Sequence, residues 1–189
     1  MVGLMRMIDS IVENADDPNR IEFCIRLHDD DWPTLKKIDF ILGAAPHVRI
    51  LIGPTLRGYA DLLTFTDDLY RIATGEWVWQ MNDDVVIEGK GWDTKLANMD
   101  MGQIVMPEIH RLNDSIYKRD MRNCFHILPR NMVFAWCGKL PFPPDLGVID
   151  VLREHLVGTA FLQGITAWHQ RNVSREEELK REQDQSCTA

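Results

Sequence analysis

Apolar residues at Leu4, Ile8, Ile11, Val12 and Ala15 recur at helical spacing, and the stripe stops at Asp16-Asp17-Pro18. Positions so spaced share one side of a helix, so an amphipathic helix opens the chain. The next segment, Ile21 to Leu27, is short and rich in β-branched and aromatic residues, which predicts a strand. It runs straight into Asp29-Asp30-Asp31, so this strand ends in three carboxylates. Trp32 to Leu42 reads as helical, with Pro33 tolerated in the first turn and Gly43 at the stop. Val48 to Ile52 is a second apolar strand, closed by Gly53-Pro54.

From Tyr59 onward, Leu62, Leu63, Thr66, Leu69, Ile72 and Ala73 form one stripe that Thr74-Gly75 ends, a further helix. Glu76 to Met81, holding Trp77, Val78 and Trp79, predicts a third strand, and it stops at Asn82-Asp83-Asp84. Beyond a turn at Gly89 and Gly91 the pattern predicts a helix at Trp92 to Ala97, a strand at Gln103 to Pro107 and a strand at Cys124 to Leu128. A short helix within Pro129 to Gly138, a helix at Asp150 to Leu156 and a strand at Thr159 to Trp168 follow, with His169 at the end. Arg175 to Gln185 is almost wholly charged and reads as a solvated helix or a frayed tail.

Strands alternating with helices imply an α/β fold with a mostly parallel, Rossmann-like sheet flanked by helices. Residues 1–174 then make one domain and 175–189 a charged C-terminal helix or tail. Sheets of this kind bind ligands beyond the carboxyl ends of their strands, where both acidic clusters fall. Carboxylates that converge suit a hard divalent cation, and Mg²⁺ commonly takes one or two of them together with the phosphates of its substrate. A metal-bound diphosphate is the first chemical expectation.

Composition narrows this picture. With 189 residues, 45% of them apolar and 26% charged, the chain suits a single domain able to bury a core. Its net charge of −8, with the basic residues scattered, argues against a nucleic-acid partner. No apolar run approaches the roughly 20 residues of a membrane span, and the first segment reaches acidic residues too soon for a signal peptide. The expected location is the cytoplasm. Cys24, Cys124, Cys137 and Cys187 have no CxxC pairing or zinc-finger spacing and read as reduced thiols.

The order of these features resembles a GT-A type, nucleotide-sugar-dependent glycosyltransferase, closest in style to the large inverting family 2. The likeness runs over about residues 4 to 172: IEFCIRLHDDD, then ATGEWVWQMNDDVVI, GKGWDTKL, GVIDVLREH and GITAWHQRN. It implies transfer of a sugar from a nucleotide-diphospho-sugar donor to an acceptor hydroxyl of unknown identity, assisted by Mn²⁺ or Mg²⁺. Asn82-Asp83-Asp84 occupies the family's D-x-D motif, whose last acid, here Asp84, is implied to ligate the metal between the two phosphates. That motif begins with Asn82 rather than an acid, and an amide there can still bond the ribose or sugar. Asp29, Asp30 and Asp31 match acids that face the base and ribose, while Arg57 and Gly58 match the start of the helix beneath the nucleotide. Asp67 stands where that helix typically carries Asn. Asp150 is implied to be the base that takes the acceptor proton, with Ile149 in place of the Glu that often precedes it. His169 matches a histidine that completes the metal shell, and Trp136 lies near the implied acceptor region.

Each of these positions also has a plainer reading. Asn-Asp-Asp begins many turns, an aspartate at a helix start is a routine cap, and a lone histidine is commonly a core or surface residue. Trp77 and Trp79 are simply core. The alternative function is an inactive or truncated GT-A-like protein that binds without turnover. A nucleotidyltransferase is a further alternative, but no Gly-rich basic loop follows the first strand. The family places a central strand immediately before the helix that here begins near Met1. Its absence implies a gap between the strands at Ile21 and Glu76, closed by another segment or another subunit, and a weakened donor site.

Overall fold

The computed structural model describes residues 1–55, 61–111, 126–136 and 158–169. Helix α1 (Val2–Glu13) buries Leu4, Met7, Ile8 and Ile11 on one face and ends at Asn14. It has no side-chain cap at its start, so packing rather than local capping holds it. Asp17 accepts the Asn19 N–H and starts a 3₁₀ turn, Pro18–Arg20, that leads to β1 (Phe23–His28). Phe23, Ile25 and Leu27 are buried on one face of β1, and Cys24, Arg26 and His28 lie half-buried on the other. β1 pairs in parallel with β2 (Val48–Gly53), from Phe23 opposite Val48 to His28 opposite Gly53.

The helix expected over Trp32 to Leu42 is instead two short pieces, α2 (Trp32–Leu35) and α3 (Ile38–Leu42). Only Thr34 and Ile41 are buried there, while Phe40 and Leu42 stay 62% and 44% exposed, so no continuous apolar face favours one longer helix. α4 (Asp61–Ile72) returns to β3 (Trp77–Trp79). A strand absent from the sequence reading follows, β4 (Val85–Glu88), with Val85 and Ile87 buried. The turn-rich Asn82-Asp83-Asp84 before it and the glycines after it masked four residues of strand pattern.

α5 (Trp92–Ala97), β5 (Gln103–Arg111), β6 (Ile127–Pro129), α6 (Arg130–Trp136) and β7 (Gly158–His169) complete the described elements. Five strands form one sheet in the order β3-β6-β5-β7-β4, and β1-β2 form a separate pair. The fold is α/β, but the expected mostly parallel sheet is corrected to a mixed one. Only β5 and β7 run parallel within the five strands, while β3–β6, β6–β5 and β7–β4 are antiparallel. Alternating helices and strands suggested parallel crossovers throughout. β4, however, follows β3 with no helix between them and lies at the opposite edge of the sheet, antiparallel to β7. The helix expected at Asp150 to Leu156 and the charged segment from 175 lie outside the described residues.

Ile8 of α1 belongs to one hydrophobic core with Ile87, Ile104, Ile127, Leu128, Leu162 and Ile165 of the sheet, all fully buried. Each such side chain contributes about 1.5–3 kcal/mol on leaving water. Polar bonds then fix α1 in place. Ser10 Oγ accepts the Ile87 N–H at 3.0 Å, and Asn14 Nδ2 donates to the Ile87 carbonyl at 3.0 Å. Gly91, Trp92 and Asp93 clamp the exit of the helix. The Gly91 N–H bonds the Asn14 carbonyl at 2.8 Å, and Trp92 Nε1 donates to the Ile11 carbonyl at 3.0 Å. Asp93 accepts the N–H groups of Asp16 and Asp17 at 2.8 and 3.0 Å. Gly91 has φ +69°, and a Cβ there would stand 2.9 Å from the Asp16 carboxylate.

Burial alone would raise the Asp93 carboxyl, but the N–H groups of Asp16, Asp17, Thr94 and Asp93 itself bond the ionised form and hold it below the usual carboxylate range. A lowered folded value means that the carboxylate stabilises the fold above the unfolded value of about 3.9. That contribution is lost as pH falls through the folded value. Replacing Asp93 by Ala leaves its N–H donors, those of Asp16 and Asp17 among them, without this acceptor and is expected to cost about 1–3 kcal/mol in urea unfolding at pH 7. With Asp93→Asn, the stability gap to the parent protein narrows as pH drops below about 4. A gap that holds constant from neutral to acid pH contradicts the ionised clamp.

Candidate functional site

The relative direction of β1 and β3 follows from what α4 touches. At the carboxyl end of β1, Phe65 lies under the Arg26 guanidinium at 4.5 Å and edge-on to His28 at 6.1 Å. Just beyond the far end of α4, the Thr74 N–H bonds Glu22, ahead of β1, at 2.7 Å. The Tyr70 hydroxyl bonds Gln80, just past β3, at 3.0 Å. The Ala73 carbonyl takes Arg130 Nε at 2.9 Å, and the Arg130 N–H bonds the Glu76 carbonyl just before β3. α4 therefore runs opposite to both strands, and β1 and β3 point the same way. Asp29-Asp30-Asp31 and Asn82-Asp83-Asp84 thus leave the same edge of the fold.

Within the first cluster the three acids have different partners. Asp31 accepts the Thr34 N–H at 3.3 Å as the N-cap of α2, and hydrogen bonding from Thr34 holds its carboxyl below the ordinary value. Asp30 accepts the Thr55 hydroxyl. Asp29 is exposed, its N–H bonded to the Gly53 carbonyl at 2.9 Å, and no hydrogen bond to its carboxylate occurs among the described residues. In the second cluster Asn82 and Asp83 are exposed, while Asp84 is half-buried with its Oδ1 atom covered. The Val85 N–H bonds the Asn82 carbonyl at 3.3 Å, so the triplet is a turn between β3 and β4. The first turn of α1 rests on it: a Cβ on Gly3 would stand 2.7 Å from the Asp83 carbonyl oxygen.

Register brings a further expected residue close. His169 ends β7 directly opposite Val85 on β4, one position from Asp84. Arg57, Asp150 and the side chains of Trp136 and His169 lie outside the described residues. Among the described residues no group of three or more His, Cys, Asp or Glu side chains forms a cage for a metal ion.

A cleft of about 420 Å³ separates β1 from β3. Leu69 and Tyr70 of α4 line one face, Met7 and Ile11 of α1 with Leu96 of α5 line the other, and Asn82 stands at the rim. Trp77 and Trp79, expected in the core, are half-buried along its wall, and Trp79 meets Trp92 edge-on at 5.4 Å between ring centres. No described segment pairs with either strand across the cleft. Cys24 lines it with its thiol pushed up to about 11, by burial first and then by Glu22, so the group is protonated at neutral pH and a poor nucleophile.

Sequence reasoning passed over Arg26. Its side chain is only 5% exposed, beside Asp68 at 3.6 Å and donating to the Pro54 carbonyl at 3.2 Å. A charge within an otherwise apolar strand was the available signal, since buried arginines are rare without partners. The Gly-Trp-Asp segment was noticed for its resemblance, yet its structural work is the clamp on α1. No family model matches the chain, and no curated protein matches it.

Asp31→Ala is expected to lower the thermal midpoint by removing the α2 cap, and Asp31→Asn to restore it, because asparagine caps as well as aspartate. The parent cap weakens as pH falls through the lowered Asp31 value, and the Asn variant lacks that dependence. Equal melting of the Ala and Asn variants rules the cap out.

Proposed function

We propose that the chain is a metal-assisted glycosyltransferase of GT-A type that moves a sugar from a nucleotide-diphospho-sugar to an acceptor hydroxyl. The observation that carries this reading is the shared edge: β1 and β3 point the same way and send two acidic clusters off one edge of the fold, and Asn82 of the second cluster stands at the rim of an apolar cleft. Ligands of α/β sheets gather at such carboxyl ends. The donor chemistry suits Mn²⁺ or Mg²⁺: a carboxylate at Asp84 and an imidazole at His169 would hold the ion, with the substrate's phosphates and waters taking the other positions. Bound there, the ion would neutralise charge growing on the departing diphosphate.

The remaining roles belong to the chain's own groups. Asp29 is the acid of its cluster with an uncommitted carboxylate among the described residues, so it is assigned to ring N–H or ribose hydroxyl groups of the nucleotide. Asn82 and Asp83, exposed at the rim, bond the ribose and sugar, and Arg57 supports the nucleotide from below. Asp150 takes the proton of the attacking hydroxyl, which requires hydrogen-bond reach of that oxygen. A second reading, binding without turnover, is favoured by the open cleft itself, since a nucleotide beside unpaired strand edges lacks one firm wall.

Calorimetry with uridine and guanosine diphosphates, in Mn²⁺ and in EDTA, tests the assignment. Chelation is expected to weaken binding about tenfold or more, a loss of about 1.4 kcal/mol, and Asp84→Ala to remove that difference. Equal affinity with and without metal, or with Asp84→Ala, contradicts it. Asp150→Asn is expected to leave diphosphate binding intact while release of nucleoside diphosphate from a nucleotide sugar falls about 10²-fold or more. An unchanged rate would make Asp150 a helix cap.

A further inference from the structure

The ladder between β1 and β2 shows which backbone groups of β2 are committed. The Phe23 N–H bonds the His47 carbonyl at 2.8 Å and the Asp29 N–H bonds the Gly53 carbonyl at 2.9 Å, with Phe23 opposite Val48 and Leu27 opposite Ile52. In a parallel ladder of that register, Arg49, Leu51 and Gly53 turn their backbone groups toward β1, and Val48, Ile50 and Ile52 turn theirs outward. Ile52 is 53% exposed, so that end of the outer edge is open to water. No described strand pairs with it. The side chains of Val48, Ile50 and Ile52 share the face of Phe23, Ile25 and Leu27, where Ile41 of α3 joins the core and α3 packs against β2. Phe40 and Leu42, the sequence neighbours of Ile41, are exposed. Together Phe40, Leu42 and Ile52 leave about 300 Å² of apolar surface in water, the scale of the largest patch on a typical monomer and often a functional one.

We propose that β2 pairs with β2 of a second copy of the chain, antiparallel about a two-fold axis through Ile50, and joins the two β1–β2 pairs into one four-stranded sheet. The strand's own symmetry selects this occupant. With Ile50 opposite its counterpart, Val48 of one copy faces Ile52 of the other, and the outward N–H and C=O groups of both strands meet donors and acceptors. Every opposed pair is β-branched and aliphatic, a type that packs well across strands. Such a contact is isologous, so it closes at two copies. Edges kept from pairing carry lysine, proline, a bulge or an inward charge, and Val48–Gly53 holds no lysine, proline or bulge. Its one charge, Arg49, lies on the other face and is taken by Glu22 at 2.6 Å and the Ile72 carbonyl at 3.2 Å. A lipid surface suits the edge less well, because hydrocarbon offers nothing to the outward N–H and C=O groups. The contact is small, so a weak dimer with a micromolar dissociation constant is expected. It uses neither acidic cluster and holds or fails independently of the transferase reading.

Sedimentation velocity of the full chain over a hundredfold range of concentration, with amide hydrogen exchange at the two extremes, tests it. The sedimentation coefficient is expected to rise from that of a monomer toward that of a dimer. Exchange at Val48, Ile50 and Ile52 is expected to slow about tenfold at the upper extreme, while Arg49 and Leu51, already bonded to β1, do not change. Ile50→Pro removes only an outward N–H, a place where an edge strand tolerates proline, and is expected to stay monomeric with Arg49 and Leu51 still protected. Lost protection at those two amides would report a disturbed strand, and Ile52→Lys then decides. That change falls at an exposed position, sets a cation from each copy at the junction, and is expected to raise the dissociation constant about tenfold or more. A sedimentation coefficient that does not vary with concentration overturns the pairing. So does a dimer whose Val48, Ile50 and Ile52 amides exchange as in the monomer, or one that Ile52→Lys leaves unchanged, since either places the contact elsewhere. A chain that stays monomeric and floats with phosphatidylcholine vesicles would assign the apolar patch to a lipid surface, and overturns it too.

Discussion

The carboxylate of Asp93, accepting the backbone N–H groups of Asp16 and Asp17, fixes where β1 lies. Among the described strands, β1 and β2 share no ladder with the five-stranded sheet, so backbone pairing does not set their position. Two helical contacts do. On one face, α1 is stapled to β4 and α5 through Ser10, Asn14, Trp92 and Asp93; on the other, α4 touches β1 at Phe65 and hands Thr74 to Glu22. Because these anchors lie on opposite faces, β1 is held parallel to β3 at a distance that leaves a cleft. That both acidic clusters leave the same edge of the fold depends on that arrangement.

Much of the chain's local structure was legible because it rests on local pattern. The stripe from Leu4 to Ile11 became α1, Trp92 to Ala97 became α5, and the apolar runs at Ile21 and Val48 became a parallel pair. Tertiary context decided what pattern did not. Phe40 and Leu42 carry the hydrophobic period of a helix, yet they are exposed, and the helix breaks after Leu35. β4 was hidden by its neighbours, and strand direction was invisible because period reports which face is buried and says nothing of which way the chain runs. Gly91-Trp92-Asp93 was conspicuous as a pattern, but its partners lie more than seventy positions earlier in the chain.

The candidate site divides in the same way. That Asp29, Asp30 and Asp31 end a strand was readable; that Asp31 caps α2 and Asp30 holds Thr55 was not, because both partners are set by how the following segments fold back. Those two bonds leave Asp29 as the acid of its cluster whose carboxylate accepts no hydrogen bond among the described residues. The register of β7 against β4, placing His169 opposite Val85, joins residues far apart in the chain. The cleft lies between the strands at Ile21 and Glu76, where the resemblance implied a gap; periodicity alone did not announce it, since it is made of edges rather than faces.

Paramagnetic broadening of amide resonances measures the convergence most directly. Mn²⁺ added with uridine diphosphate shortens the relaxation of nuclei near the bound ion, wherever they fall in the sequence. If both clusters serve one metal-bound diphosphate, the amides of Asp29, of Asn82 to Val85 and of His169 broaden together at the same concentration of added ion, and those of β2 and α3 stay sharp. Broadening at only one cluster, or none at either, would contradict a shared site.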